Sequence, residues 1–221
     1  MKNILIASLV VLSMILSGCF EVVEEITIND DGSGQITMTV NLSRSKTKLS
    51  SIMLMDSINN YKVPSRADIT TNIEKMIAEI NKVSGVSNVS HSIDHDEFIY
   101  SVSCDFTNVD ALNKVITHFS TEGHSAAVES NKQFVYDADR KEFTRNYHYN
   151  LSKEIKKVRQ QDKEVLEDAS ITTIYRFESP IASSENANAK IAGNKKAIML
   201  KVAVPDMINN TKDIKNTITL N

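Results

Sequence analysis

The side chains able to do chemistry in this chain are few, and their spacing does not favour catalysis. Five histidines occur: His91, His95, His118, His124 and His148. His91-x₃-His95 has the spacing that sets two imidazoles on one face of a helix, with Asp94 and Asp96 beside them. Zinc requires three or four N, S or O ligands in a fixed geometry. Here the flanking residues read as strand and then turn, the usual place for Asp, and no cysteine lies nearby. No metal site is expected. Asp31-Gly32-Ser33-Gly34 places a serine between glycines, but a nucleophile elbow needs G-x-S-x-G between a strand and a helix. The same acidic stretch lacks the ligand spacing of a calcium loop. A phosphate-cradling G-x-x-x-x-G-K-[ST] segment is missing. Carboxylates are plentiful, yet no pair sits in an apolar setting that would raise a pKa for acid catalysis. The sequence thus predicts no catalytic residue, no cofactor and no metal, and a protein that is not an enzyme.

The remaining reactive groups are two thiols, Cys19 and Cys104. Cys19 closes the stretch MKNILIASLVVLSMILSGC, in which a basic Lys2 precedes an apolar run of 13 residues, Ile4 to Leu16. As a helix that run would rise about 20 Å, against a bilayer core about 30 Å thick. It is short for a span and fits the apolar region of an export signal. The residues that follow, Leu16-Ser17-Gly18-Cys19, resemble the lipobox of bacterial lipoproteins at all four positions. The resemblance implies a diacylglyceryl group joined to the Cys19 thiol by a thioether. It also implies cleavage between Gly18 and Cys19, removal of residues 1–18 as a signal peptide, and further acylation of the new amino group. An accessible thiol suits that chemistry because its thiolate is a good nucleophile. Phe20 stands where an Asp would retain such a protein in the inner membrane of enteric bacteria. The resemblance therefore implies the outer membrane, facing the periplasm. Glu21, Glu24 and Glu25 resemble acidic surface-export signals.

With Cys19 committed to lipid, Cys104 has no partner for an intrachain disulfide, so the fold must rest on its core. Removing residues 1–18 takes away Lys2 alone and leaves 24 Lys+Arg against 28 Asp+Glu, a net charge of −4. That balance argues against a nucleic-acid partner, which calls for a basic face. It also gives the body of the protein no net attraction to anionic lipid. The mature 203 residues, 41% of the full chain being hydrophobic, suffice for a core.

These residues must be held by the elements that the patterning predicts. Ile26 and Ile28, then Ile36, Met38, Val40 and Leu42, alternate on either side of Asp31-Gly32, a type I′ hairpin signal. Leu49, Ile52, Met53 and Ile58 suggest one face of a short helix that Pro64 ends. Ile69, Ile73, Met76, Ile77, Ile80 and Val83 fall at helical spacing, with Ser65 and Asp68 as a capping signal and Gly85 as a stop. Val89, His91 and Ile93 form a strand, and Asp94-His95-Asp96 turns it. Residues 98–106 return with Cys104 on the more apolar face, where a packed small hydrophobe is expected. Thr107 is placed to cap a helix over 108–119, stopped by Glu122-Gly123. Strands are expected at 132–136, 142–149, 171–178, 186–191 and 196–204. A charged helix is expected at 151–168, a short turn from Pro205 and a closing strand at Ile218 and Leu220.

The order predicts an α+β fold: an antiparallel sheet with helices on one face. A ferredoxin-like split βαβ unit is expected over about 34–136, followed by a β-rich C-terminal region. Residues 19–221 read as a single envelope domain, with a division into 20–130 and 131–221 as the alternative. The DDGSG hairpin and the β-rich end resemble the LppM-type lipoprotein domain. Two functions are compatible. The first is a lipid-anchored, non-enzymatic envelope protein that presents its domain to a protein partner near the membrane. The second is a binding module for a lipid or apolar small molecule, held between the sheet and the helices 69–83 and 109–119.

Overall fold

The structure is a computed structural model that describes residues 20–58, 60–119, 132–147, 151–156, 163 and 166–221. Gly18, Cys19, the run Ile4 to Leu16, His124, His148, Glu122-Gly123 and most of the charged helix beyond residue 156 lie outside the described residues.

A hairpin opens the fold, β1 (Glu21–Ile28) and β2 (Gly34–Asn41). Its register runs from Glu21↔Asn41 to Ile28↔Gly34, so the connection is the five residues 29–33. The two-residue type I′ turn expected at Asp31-Gly32 does not form. That turn needs positive φ at both central positions, and here only Gly32 has it, at +80°. Instead the Gly32 amide donates to the Asn29 carbonyl at 2.9 Å, and the Asp31 carboxylate accepts from the Ser33 amide at 2.9 Å.

A 3₁₀ turn (Ser43–Ser45), α1 (Lys46–Ile52) and a small separate hairpin, β3 (Ser57–Ile58) and β4 (Tyr61–Lys62), come next. Ile58 is therefore a strand residue and not part of the expected helical face. The apolar stripe predicted over 69–83 forms α2 (Arg66–Ile80). Its predicted cap is present in full: the Ser65 hydroxyl accepts from the Asp68 amide at 3.1 Å, and the Asp68 carboxylate accepts from the Ser65 amide at 2.9 Å. Strands β5 (Val86–Asp94) and β6 (Ile99–Phe106) lead to α3 (Val109–Phe119). The cap of α3 is Asn108, whose side-chain oxygen accepts from the Ala111 amide at 2.9 Å, rather than Thr107. The remaining elements are β7 (Phe134–Asp137), β8 (Glu142–Arg145), α4 (Leu151–Ile155), β9 (Ser170–Phe177), β10 (Ile181–Ser184), β11 (Lys190–Ile191), β12 (Ala197–Ala203), α5 (Val204–Ile208) and β13 (Asn216–Leu220).

The fold is α+β. A seven-stranded sheet has the order β11-β12-β9-β1-β2-β6-β5, and a four-stranded sheet the order β10-β13-β8-β7. The large sheet is mixed rather than antiparallel, because β1 and β9 pair in parallel from Glu21↔Ser170 to Ile28↔Phe177. It draws strands from both sides of residue 130. Strands β2, β6 and β5 with α2 do take a split arrangement, with β6 antiparallel between them. The expected ferredoxin-like unit is not completed: the place beside β2 belongs to its hairpin partner β1, and β7 joins the small sheet.

Alternation along each strand of the large sheet sends one set of side chains to a common core. Ile26, Ile36, Cys104, Tyr175 and Ile198 lie in register across five strands of it. Ile73 and Ile80 of α2 and Leu112, Val115 and Ile116 of α3 are buried in the same cluster. Phe134, Phe143 and Ile218 bring the small sheet into it. A second cluster, Leu200, Val202, Met207 and Ile214, seats α5 beneath β12. Among the described residues no helix is long and apolar enough to cross a membrane.

Candidate functional site

Two places in the fold hold side chains that go beyond packing, and both begin on β1. Alternation sets Glu24 in phase with Ile26 and Ile28 and therefore points it inward, where it is 4% exposed. Arg145, in phase with Phe143 on β8, meets it and is 6% exposed. The guanidinium donates from Nε to Glu24 Oε1 at 3.1 Å and from Nη2 to Oε2 at 2.9 Å, a forked pair. The Tyr175 hydroxyl of β9 donates to Glu24 Oε1 at 2.6 Å. Arg145 Nη1 donates to Gln133 Oε1 at 2.9 Å and to the Asn146 carbonyl at 2.6 Å, and the guanidinium carbon sits 4.6 Å from the Phe134 ring centroid. Phe143 and Tyr175 close the other side edge-to-face, their centroids 5.1 Å apart.

Burial and then the Glu24 charge push the Tyr175 phenol well above its ordinary value. Burial pulls Arg145 down, but the charges and hydrogen bonds of Glu24 and Tyr175 together outweigh it, and the guanidinium pKa lies above its usual value. Arg145 therefore stays a cation, and the Tyr175 phenol stays a neutral donor. The cluster locks β1, β8 and β9 together and joins the two sheets. Glu24, which resembles part of an acidic surface-export signal in the sequence, is instead a buried member of this cluster. The signal for it was present, since both Glu24 and Arg145 fall on the apolar phase of their strands.

The neighbouring acids are also engaged. Glu21 accepts from Lys201 Nζ at 2.8 Å and from the Thr172 hydroxyl, and these hydrogen bonds, Lys201 first, lower its pKa. Glu25 pairs with Arg176. In the folded domain Glu21, Glu24 and Glu25 form no free acidic patch.

The second place is the start of β1. The carbonyl of Phe20 accepts from the Ser170 amide at 3.0 Å, so the residue after Cys19 is already bonded into the sheet.

The other sequence candidates are separate from both places. Cys104 is 1% exposed, and burial pushes its thiol up to about 11, which keeps it protonated and inert. His91 is exposed on β5. His95 lies in the following turn, with Nε2 3.0 Å from the Thr70 hydroxyl and Nδ1 3.5 Å from that of Tyr100. Among the described residues no three His, Cys, Asp or Glu side chains group to hold a metal ion. An open cleft of about 350 Å³ is lined by Glu185, Asn186, Ala187, Asp213, Lys215 and Asn216. Its polar floor is self-satisfied, since Asn216 Oδ1 accepts from the Ser184 hydroxyl at 2.9 Å and the Asn186 amide at 3.0 Å.

No protein-family model and no curated protein matches the chain. Among solved structures, the folded domain of the Mycobacterium tuberculosis LppM protein, determined by NMR, is similar with a TM-score of 0.39 and 10% sequence identity. That match covers 91% of this chain and 89% of that one.

Proposed function

We propose that this protein is a lipid-anchored, non-enzymatic component of the bacterial cell envelope, acylated on Cys19 after cleavage behind Gly18. It presents its α+β domain to an envelope protein partner at the membrane surface, on the periplasmic face of the outer membrane. The observation that carries this reading is the bond from Ser170 to the Phe20 carbonyl. A lipobox ends at Cys19 and the folded domain begins at the next residue, so the anchor and the domain adjoin without a linker. One acyl chain holds a protein at a membrane only marginally, whereas two or three hold it firmly.

The apolar faces of α2 and α3 are spent on the core with Ile36, Cys104 and Phe106. That favours a domain that meets its partner on its outer surface over one that takes an apolar ligand between sheet and helices. The test is metabolic labelling with radioactive fatty acid in cells expressing the full chain or Cys19→Ser. Label is expected in the former and none in the latter; equal labelling of both would overturn the anchor. Crosslinking in intact cells that captures no protein would overturn the partner.

A further inference from the structure

The anchor end of the large sheet carries an apolar projection that the core does not use. Glu21, two residues beyond Cys19, pairs with Asn41, and Asn41 with Ile99 of β6. From Asn41 the chain leaves the sheet through α1 and the β3–β4 hairpin. It returns at Ser65 to start α2, whose Arg66 pairs with Asp96 at 3.0 Å in the turn just before Ile99. Both ends of this excursion are thus fixed at the end of the sheet where Cys19 joins. Arg44 lies close enough for its charge to act on Glu21.

The excursion exposes what globular surfaces usually hide. Leu54 is 89% exposed, Tyr61 61%, Met55 50% and Ile58 39%, and Val40 at the end of β2 is 38% exposed. The other exposed large hydrophobics, Val135, Ile191 and Met199, lie on separate strands. A group of apolar side chains this exposed marks a contact surface. Its scaffold points the same way. β3 and β4 form a two-stranded sheet of their own, two residues to a strand, turned by Asn60 at φ +68°. An isolated hairpin is marginal in water and gains from an apolar surround.

We propose that residues 53–58 with Tyr61 and Lys62 dip into the interfacial layer of the bilayer that holds the Cys19 anchor. There they make a second, reversible membrane contact that orients the domain. This rests on the anchor reading above. Lipid is favoured over another occupant by position: the anchor holds these residues at the bilayer, whereas the opposite end of the sheet is about 26 Å away along an eight-residue strand. The chemistry also suits an interface, where Tyr sits at headgroup level with Lys beside it, as Tyr61 and Lys62 do. Residues 42–63 carry Arg44, Lys46, Lys48 and Lys62 against Asp56 alone, in a chain of net charge −3. Asp94, Asp96 and Glu97 occupy the same end, with Lys46 paired to Glu97 and Arg66 to Asp96. Apolar insertion, not headgroup charge, is therefore the main attraction.

The experiment places an environment-sensitive nitrobenzoxadiazole dye on Leu54→Cys in full-length, acylated protein with Cys104→Ala. The protein is reconstituted in vesicles of phosphatidylethanolamine and phosphatidylglycerol, and Asp139→Cys, in the exposed turn after β7, serves as control. The expected result is blue-shifted emission and quenching by spin-labelled lipid at position 54, with water-like emission at position 139, little changed by raising salt. Water-like emission at 54 in protein shown to carry labelled fatty acid overturns this contact and leaves the anchor standing. Shielding of 54 in detergent without vesicles, rising with protein concentration, overturns it in favour of a second copy. If Cys19 carries no fatty acid, the dye is placed on Leu54→Cys with both Cys19→Ser and Cys104→Ala, and a blue shift on adding vesicles then still supports the contact while the anchor reading fails.

Discussion

Arg145 holds both carboxylate oxygens of Glu24, a residue 121 positions away in the chain, at 3.1 and 2.9 Å. The fork ties the first strand after Cys19 to the second sheet. A pull on the chain ahead of β1 is therefore opposed by a buried, charged hydrogen-bond pair as well as by the β-ladder.

Breaking that pair from one side should be costly. Arg145→Ala leaves a carboxylate buried beside Tyr175 and is expected to destabilise the fold by about 3–5 kcal/mol. Removal of Arg176, whose partner Glu25 is on the surface, should cost at most about 1 kcal/mol. Urea unfolding of the two variants checks the contrast; equal losses would remove the clamp role. Replacing Glu24 and Arg145 together by Met should recover most of the loss.

Gly34 admits no side chain. A Cβ there would lie 1.9 Å from the Thr27 carbonyl oxygen and 2.7 Å from Phe106. Gly34→Ala must push β1 away from β2, with an expected loss of about 1–3 kcal/mol. Gly193→Ala meets nothing within 4 Å and should leave the thermal midpoint nearly unchanged. A calorimetric scan of both compares them directly.

Cys104 gives the fold a pH dependence on the alkaline side. Its thiol ordinarily titrates near 9.0 and is raised to about 11 in the fold. Above pH 9 the unfolded chain loses this proton while the folded one keeps it, so stability falls as pH rises from 9 to about 11 and is unaffected below. The loss should be on the order of 2 kcal/mol. Stability measured against pH in wild type and Cys104→Ala isolates it, because Tyr175 titrates in both. A curve that falls equally in the two would show that the thiol is not responsible.

The capping box at Ser65 is worth about 1 kcal/mol. Ser65→Ala should lose roughly that and Ser65→Asp should retain most of it, as read by chemical denaturation.

The helices with a continuous apolar stripe and a cap were legible in the sequence, as α2 with Ser65 and Asp68 shows. So were the strands with clean alternation, such as residues 98–106 around Cys104. The hairpin was legible too, but not its loop, because Asp-Gly suits both a two-residue turn and a longer one, and the register with Gly34 decides between them. Partner choice was not legible. That β1 lies beside β9 and that β7 leaves the first sheet are non-local pairings with no local mark. The pairing of Glu24 with Arg145 was not legible, because the two stand 121 positions apart, although each lies on the apolar phase of its strand. The β3–β4 hairpin was read as part of a helix because Ile58 continues the apolar series Leu49, Ile52 and Met53 before Pro64, although its distance of six residues from Ile52 is not a helical repeat.

The central claim is that lipid on Cys19, two residues before β1, fixes the domain to the membrane. Mass spectrometry of the N-terminal peptide of protein purified from membranes tests it most directly. The account predicts a peptide that begins at Cys19 and carries diacylglyceryl mass. A peptide that begins at Met1, or at an unmodified Cys19, would contradict it.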